Sequence, residues 1–325
     1  MKNSVKLISA TVLSVALSSA FADVIPINPD GPGPVGVLAV GSLDWNVGNG
    51  LAVADPGQTL GAGGRAPGQQ FTFYGHSTLS AFNDGVGTPI AGTGLNSAYE
   101  WTYVTGFREQ IVQSGANLTF TTVGGPANPT TNFFQIYYDP LRDANPLTGL
   151  GFNNGTLILS GHILADPAAP FSNSNFSISD PNATVDLDNF GVDPNNNYPG
   201  IFTIRGQGGG AISVAVDFAD LAFFPNGLSL LQQDFTTSQT LAFNQQDPSA
   251  CFYTGAGFIG GAGGGACVNT IGAQNGVSGP NLQLQTDANS SFIVNQVPEP
   301  ASLGLVGLAL LGLGVGRRRQ VKSQG

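Results

Sequence analysis

Between residues 23 and 296 the chain carries only two glutamates, Glu100 and Glu109, and a carboxylate pair is what glycoside hydrolysis uses. Such pairs act when held about 5 to 10 Å apart. No sequence feature brings these two together, and Arg108 is placed to neutralise an acid instead. Asp186 and Asp188 alternate on an expected strand, so both project from one face, with Asp180 before and Asp193 after them. Asp186, Asp188 and Asp193 are therefore candidate ligands for calcium, which abounds outside cells and takes roughly six to eight oxygens. The spacing is not that of an EF-hand, whose fifth and twelfth positions would fall on Phe190 and Asn197. Turn-forming Asp and Asn residues around a surface strand give the same pattern, and apart from calcium no cofactor is expected.

The histidines are His76 and His162. His162 shares an expected strand face with Thr156, Ile158 and Ser160, while His76 follows a strand in a Gly-His-Ser turn. With no H-E-x-x-H and no G-x-S-x-G in the chain, both read as exposed or hydrogen-bonded sheet residues. Gly255 to Gly260 spells G-x-G-x-x-G, yet it lies in a glycine-rich stretch between two cysteines, without the strand, helix and acidic residue of a dinucleotide site. Trp45, Trp101 and Tyr198, with Tyr137 and Tyr138, offer ring faces for stacking a saccharide beside Asn195, Asn196 and Asn197. The competing reading is that these rings fill a core. Catalytic residues are not expected.

The scaffold that must position these residues reads as strands. Ile212, Val214, Val216 and Phe218 alternate with Ser213, Ala215, Asp217 and Ala219, the period of a half-buried strand. Leu157, Leu159 and Ile163 do the same within Gly155 to Leu164. Further strands are expected at Phe71 to Tyr74, Tyr99 to Phe107, Asn117 to Val123, Phe133 to Tyr138, Ala183 to Asn189, Gly200 to Arg205, Thr237 to Phe243, Asn281 to Thr286 and Ser291 to Val294. Turn signals such as Asp139-Pro140, Asp180-Pro181 and Asp193-Pro194 fill the gaps. Only Gly227 to Gln233 looks briefly helical, and no fixed-period repeat is present. The expected fold is all-β, an antiparallel β-sandwich of jelly-roll type. Residues 23–64, rich in Gly, Pro and small side chains, read as a loosely held arm on this body of residues 23–296.

Cys251 and Cys267 are the only cysteines. In an exported chain an even count favours a disulfide, and closing the fifteen-residue loop between them is worth about 3 kcal/mol.

Both ends carry targeting signals. Lys2 and Lys6 precede the apolar run Leu7 to Ala20, and Ala20-Phe21-Ala22 has the small residues of a signal-peptide cleavage site, which places residues 1–22 in a signal peptide. At the other end Val297-Pro298-Glu299-Pro300 leads into sixteen residues, Ala301 to Gly316, whose only polar side chain is Ser302, and then into Arg317-Arg318-Arg319. As a helix, 301–316 would span about 24 Å, slightly less than a hydrocarbon core of about 30 Å. The arginines favour the cytoplasmic side, which places the body across the membrane.

This order of Pro-Glu-Pro, short hydrophobic helix and arginine cluster over 297–325 resembles the PEP-CTERM sorting signal of exported proteins in Gram-negative bacteria. The resemblance implies processing by an exosortase, after export through the Sec machinery and signal peptidase. It also implies transient anchoring in the inner membrane, delivery to the cell surface or extracellular matrix, and the company of exopolysaccharide.

All three lysines lie in the terminal segments, so residues 23–296 keep four arginines against nineteen acids, a formal net charge of −15. Such a body has no cationic surface for nucleic acid, stays soluble, and outside the cell can be bridged by divalent cations to other acidic polymers. Leu43 to Asn49, Asn132 to Asp139, Gly151 to Gly155 and Asp287 to Phe292 are similar to the flocculation-associated subgroup of PEP-CTERM proteins. That resemblance implies a non-enzymatic matrix protein that helps cells to form flocs or biofilm. A lectin-like saccharide-binding module and a secreted glycan hydrolase remain as alternatives.

Overall fold

A computed structural model of the protein describes residues 24–60, 65–113, 117–165, 173–191, 197–238, 241–260, 267 and 280–293. The expected signal peptide, Asp193 and the whole segment 297–325, where the hydrophobic helix is expected, lie outside the described residues. Among the described residues there is no helix. Fourteen strands follow one another: β1 (Ile25–Ile27), β2 (Leu38–Val40), β3 (Ser42–Ala54), β4 (Gln70–Asn83), β5 (Glu100–Gln113), β6 (Asn117–Thr122) and β7 (Asn132–Asp139). They continue with β8 (Thr156–Ile163), β9 (Asn173–Asp186), β10 (Phe202–Ala219), β11 (Leu230–Ser238), β12 (Cys251–Tyr253), β13 (Phe258–Gly260) and β14 (Leu282–Phe292).

Every pairing in the ladder is antiparallel, and the main sheet closes on itself. From β10 it runs through β11, β14, β3 and β4 to β5. There it divides: Glu100 to Phe107 of β5 pair with β7, whereas Glu109 to Gln113 pair with β6. One branch returns to β10 through β8 and the other through β9. The all-β antiparallel class is as expected, but the walls are continuous with each other, so among the described residues every strand of the main sheet has a neighbour on both sides along part of its length.

The alternation expected from sequence sets the interior. Leu43 and Trp45 of β3, Phe71 and Phe73 of β4, Trp101, Tyr103 and Phe107 of β5, and Ile212 and Val214 of β10 face one core. Trp45 meets Tyr103 edge-on at 4.8 Å, and Trp101 meets Phe82 edge-on at 5.0 Å. Residues 24–54 are not a loose arm. Ile25, Ile27 and Val40 are buried in the same core, and β3 is flanked by β14 and β4. The small residues that suggest a linker, Gly48 and Gly50, are buried positions of that strand where the ring of Phe73 and the carbonyl of His76 leave no room for a Cβ.

Several expected breaks are absorbed into longer strands. Asp180-Pro181 is a bulge in β9 rather than a turn, because the register jumps between Ile204↔Thr184 and Arg205↔Asp180. Gly208 to Gly210 do not interrupt β10, because β9 and β11 pair with it on both edges there. The stretch that looks helpful to a helix, Gly227 to Gln233, instead enters β11, where Leu231 and Gln233 turn inward. In β8 the register places Ile136 opposite Leu159 and Tyr137 opposite Leu157. Ile158 is the extra residue of that bulge, so Ile158 and Leu159 are both buried in spite of their adjacency.

Candidate functional site

The outer face of the β3–β4–β5 wall is not open to solvent. Leu51, Tyr74 and Val104 point outward there and are covered by Phe152 and Phe252, which form a second apolar cluster with Phe133 and Tyr137. The covering layer consists of residues 140–154 and 241–260. Polar side chains of the wall fasten it. Asn49 Nδ2 donates to Asp247 O at 3.1 Å and its Oδ1 accepts from Ser249 N at 2.9 Å. Gln283 Nε2 donates to Ser249 O at 2.9 Å, and Thr102 Oγ1 donates to Phe152 O at 2.7 Å. The two covering segments also bond each other, Ala250 N to Leu147 O at 2.9 Å. The expected Cys251–Cys267 disulfide is formed, with Cα atoms 5.8 Å apart, and it ties β12 of this layer to the chain beyond β13.

His76 sits beneath the cover, in the middle of β4 rather than in a turn, and only 2% exposed. Its ring is stacked on Phe152 at 4.2 Å and lies 4.9 Å from Phe252. Its Nε2 is 2.9 Å from Ser249 Oγ, and the Ser249 hydroxyl donates to the Pro146 carbonyl. With that proton committed, Nε2 must be the donor, and burial pushes the imidazole pKa down to about 3, which keeps the ring neutral. A histidine that donates to a serine is the reverse of one that activates it. Beside it a groove of about 290 Å³ is lined by Asn46, Thr78, Phe152, Gln245 and Gln246.

The other expected site residues are distributed as follows. Glu100 and Glu109 lie nine residues apart on the same strand, about 30 Å at the rise of an extended chain, which is too far for a hydrolytic pair. Arg108 pairs with Asp55 at 2.6 Å. Trp45, Trp101 and Tyr198 are buried, so none offers a ring face to a saccharide. Trp45 Nε1 donates to Ser290 Oγ at 2.7 Å and Trp101 Nε1 to Pro29 O at 2.9 Å. These rings fill apolar cores, where their large faces bury the most surface.

Asp186 and Asp188 do not share an environment: Asp186 is exposed and Asp188 is buried. Asp188 accepts from Phe190 N at 3.0 Å, Asn197 N at 2.9 Å and Asn197 Nδ2 at 3.1 Å, the bonding of a loop-closing aspartate. Asn197 Nδ2 also reaches Asp247 Oδ1 at 2.7 Å; burial, then Asp188, raises the Asp247 pKa. His162 is partly exposed and 2.9 Å from Asp217, the extra residue in a bulge of β10. The Gly255 to Gly260 stretch forms the turn and second strand of the β12–β13 hairpin.

One group of acids escaped the sequence reading. Glu100, Asp139 and Asp143 each present a carboxylate oxygen within 4.8 Å of the others. Burial raises the Glu100 pKa; the Ala144 N–H opposes this, and the Asp139 and Asp143 charges add to it. In the sequence Asp139 reads as half of an Asp-Pro turn. Nothing in the sequence signals that β7 ends beside the start of β5, since that follows from register alone.

No curated protein and no solved structure matches the chain. Residues 296–320 match the family model described as the PEP-CTERM protein-sorting motif. The match contains the Pro298-Glu299-Pro300 motif, the apolar run and Arg317 to Arg319. The chain therefore carries a PEP-CTERM sorting signal, the mark of an exported protein that is targeted to an exosortase and associated with the cell surface.

Proposed function

We propose that the protein is a non-enzymatic component of the extracellular matrix that supports floc or biofilm formation together with exopolysaccharide. The sorting signal at 296–320 carries this reading, because it directs the chain to the surface where such polymers are laid down. The apolar segment 301–316 holds the chain in the inner membrane until an exosortase acts near Pro298-Glu299-Pro300. The body then joins the matrix. Its closed sheet suits a durable structural part, and its acidity allows divalent cations to link it to acidic polymers.

The test is deletion of Val297 onward in a flocculating host. The truncated protein should leave the cell surface and flocculation should fall. Normal flocculation with the truncated protein free in the medium would end this reading.

The groove beside His76 favours a second reading, a lectin-like module, because Asn46, Gln245 and Gln246 place carboxamides around a space of about 290 Å³. Saturable oligosaccharide binding that is lost in Gln245→Ala and Gln246→Ala would establish it. The distance between Glu100 and Glu109 argues against a hydrolase built on that pair.

A further inference from the structure

Three carboxylates converge where β5 begins and β7 ends. The ladder register sets Glu100 opposite Asp139, and both are buried, 5% and 3% exposed. Asp143, exposed, joins them from the covering segment just after β7. Each carboxylate has some protein donors. Glu100 Oε1 accepts from Ala144 N at 2.9 Å, Asp139 Oδ1 from Leu141 N at 2.7 Å, and both oxygens of Asp143 from Asn154 Nδ2 at 3.0 Å.

Those donors leave the group incomplete. Asp139 Oδ2 is buried beside the other two acids and has no hydrogen-bond partner. The nearest basic residue in sequence, Arg142, donates to Asn96 O at 3.3 Å and forms no ion pair with these acids. Among the described residues the arginine ion pair is Arg108 with Asp55, elsewhere on the body. Like charges directly opposed in a ladder are unfavourable, and buried carboxylates need a partner of opposite charge. A cation would meet both needs at once.

We infer that Glu100, Asp139 and Asp143 form a calcium site. The ligand set is all oxygen, with no imidazole or thiolate, which disfavours zinc and copper and suits a hard cation. Three carboxylates neutralise a divalent ion with one charge to spare, and the exposed side at Asp143 leaves room for water as further ligands. The site is distinct from Asp186 and Asp188, where backbone and Asn197 donors already occupy Asp188.

An ion here would act as a clasp. It would join β5, β7 and the segment of 140–154 that carries Phe152 over the outer wall. Calcium would thereby tighten the cover without entering the core.

The experiment is calorimetric titration of the purified, chelator-treated full chain with calcium chloride, together with its melting temperature in EDTA and in calcium. The expected result is one saturable site and a rise in melting temperature. Asp139→Asn keeps the acceptor for Leu141 N, and Asp143→Asn alters an exposed residue that should not affect folding. Each should weaken calcium binding at least about tenfold and shrink the thermal shift, as loss of a charged ligand requires. Absence of stoichiometric binding to the wild-type chain would overturn the inference, the acids then sharing a proton instead. Binding that both variants retain unchanged would overturn it as well, and would direct attention to Asp186 and Asp188.

Discussion

Glu100 and Asp139 are directly opposed in the β5–β7 ladder, two buried acids where a sheet ordinarily places opposite charges or apolar side chains. Without a divalent cation this arrangement opposes folding. Glu100→Gln removes one charge and keeps an oxygen for the Ala144 N–H. In EDTA the variant should be more stable than the parent by up to about 1 kcal/mol, the scale of a cross-strand charge pair. With saturating calcium the order should reverse. Urea unfolding in the two conditions reads both signs, and a less stable variant in EDTA would show that the pair is not repulsive.

Trp45, Ser290 and Gln233 form a polar chain through the interior, across β3, β14 and β11. The indole N–H donates to Ser290 Oγ at 2.7 Å, and the hydroxyl donates to Gln233 Oε1. All three side chains are buried. Ser290→Ala therefore strands a donor and an acceptor where water cannot replace the hydroxyl, and should cost at least about 2 kcal/mol. Denaturant unfolding measures it; a loss below a few tenths of this would mean that the groups find other partners.

The legible part of the fold was its period-two alternation. Ile212 and Val214 turn inward and Asp217 outward, as their order implies. Strand ends were less legible, because polar residues on the solvent side resemble turns. Asp287 and Asn289 face outward within β14, which is why one strand reads as two. Aromatic residues carry no sign of burial in sequence, so Trp45 and Trp101 served equally as sugar platforms or core rings until packing decided. The acidic cluster was illegible for another reason. Glu100 and Asp139 are far apart in the chain, and only the β5–β7 register makes them neighbours. The sorting signal, by contrast, is linear, and its order of residues suffices.

His76 makes stability depend on pH. In the unfolded chain it protonates near 6.5, whereas in the folded protein burial holds it neutral down to about 3. Between those values the unfolded state binds more protons, so stability rises with pH and is lost as the pH falls from 6.5 toward 3. One such group contributes a slope approaching about 1.4 kcal/mol per pH unit. His76→Gln retains a donor for Ser249 but does not titrate. Its stability should fall less steeply with acid than that of the parent in urea unfolding across this window, and equal slopes would contradict a neutral buried imidazole.

Asn49 tests whether the cover and the closed sheet are separate units of stability. It is 1% exposed, and its carboxamide makes both an N–H bond to Asp247 O and an acceptor bond from Ser249 N, so it holds the 241–250 segment against β3. The apolar residues beneath the cover form a cluster distinct from the main core, and the interior rings Trp45, Tyr103 and Phe134 belong to the latter. Asn49→Ala should therefore open the cover locally. Amide exchange at Ser249 and Ala250 should accelerate, while exchange at Tyr103 and Phe134 stays slow, since local opening needs only the bonds of its own segment to break. The Cys251–Cys267 link should limit how far the opening spreads, so reduction should extend the fast exchange into β12. If the amides of cover and core accelerate together, the two layers unfold as one unit and the cover is part of the main sheet's own stability.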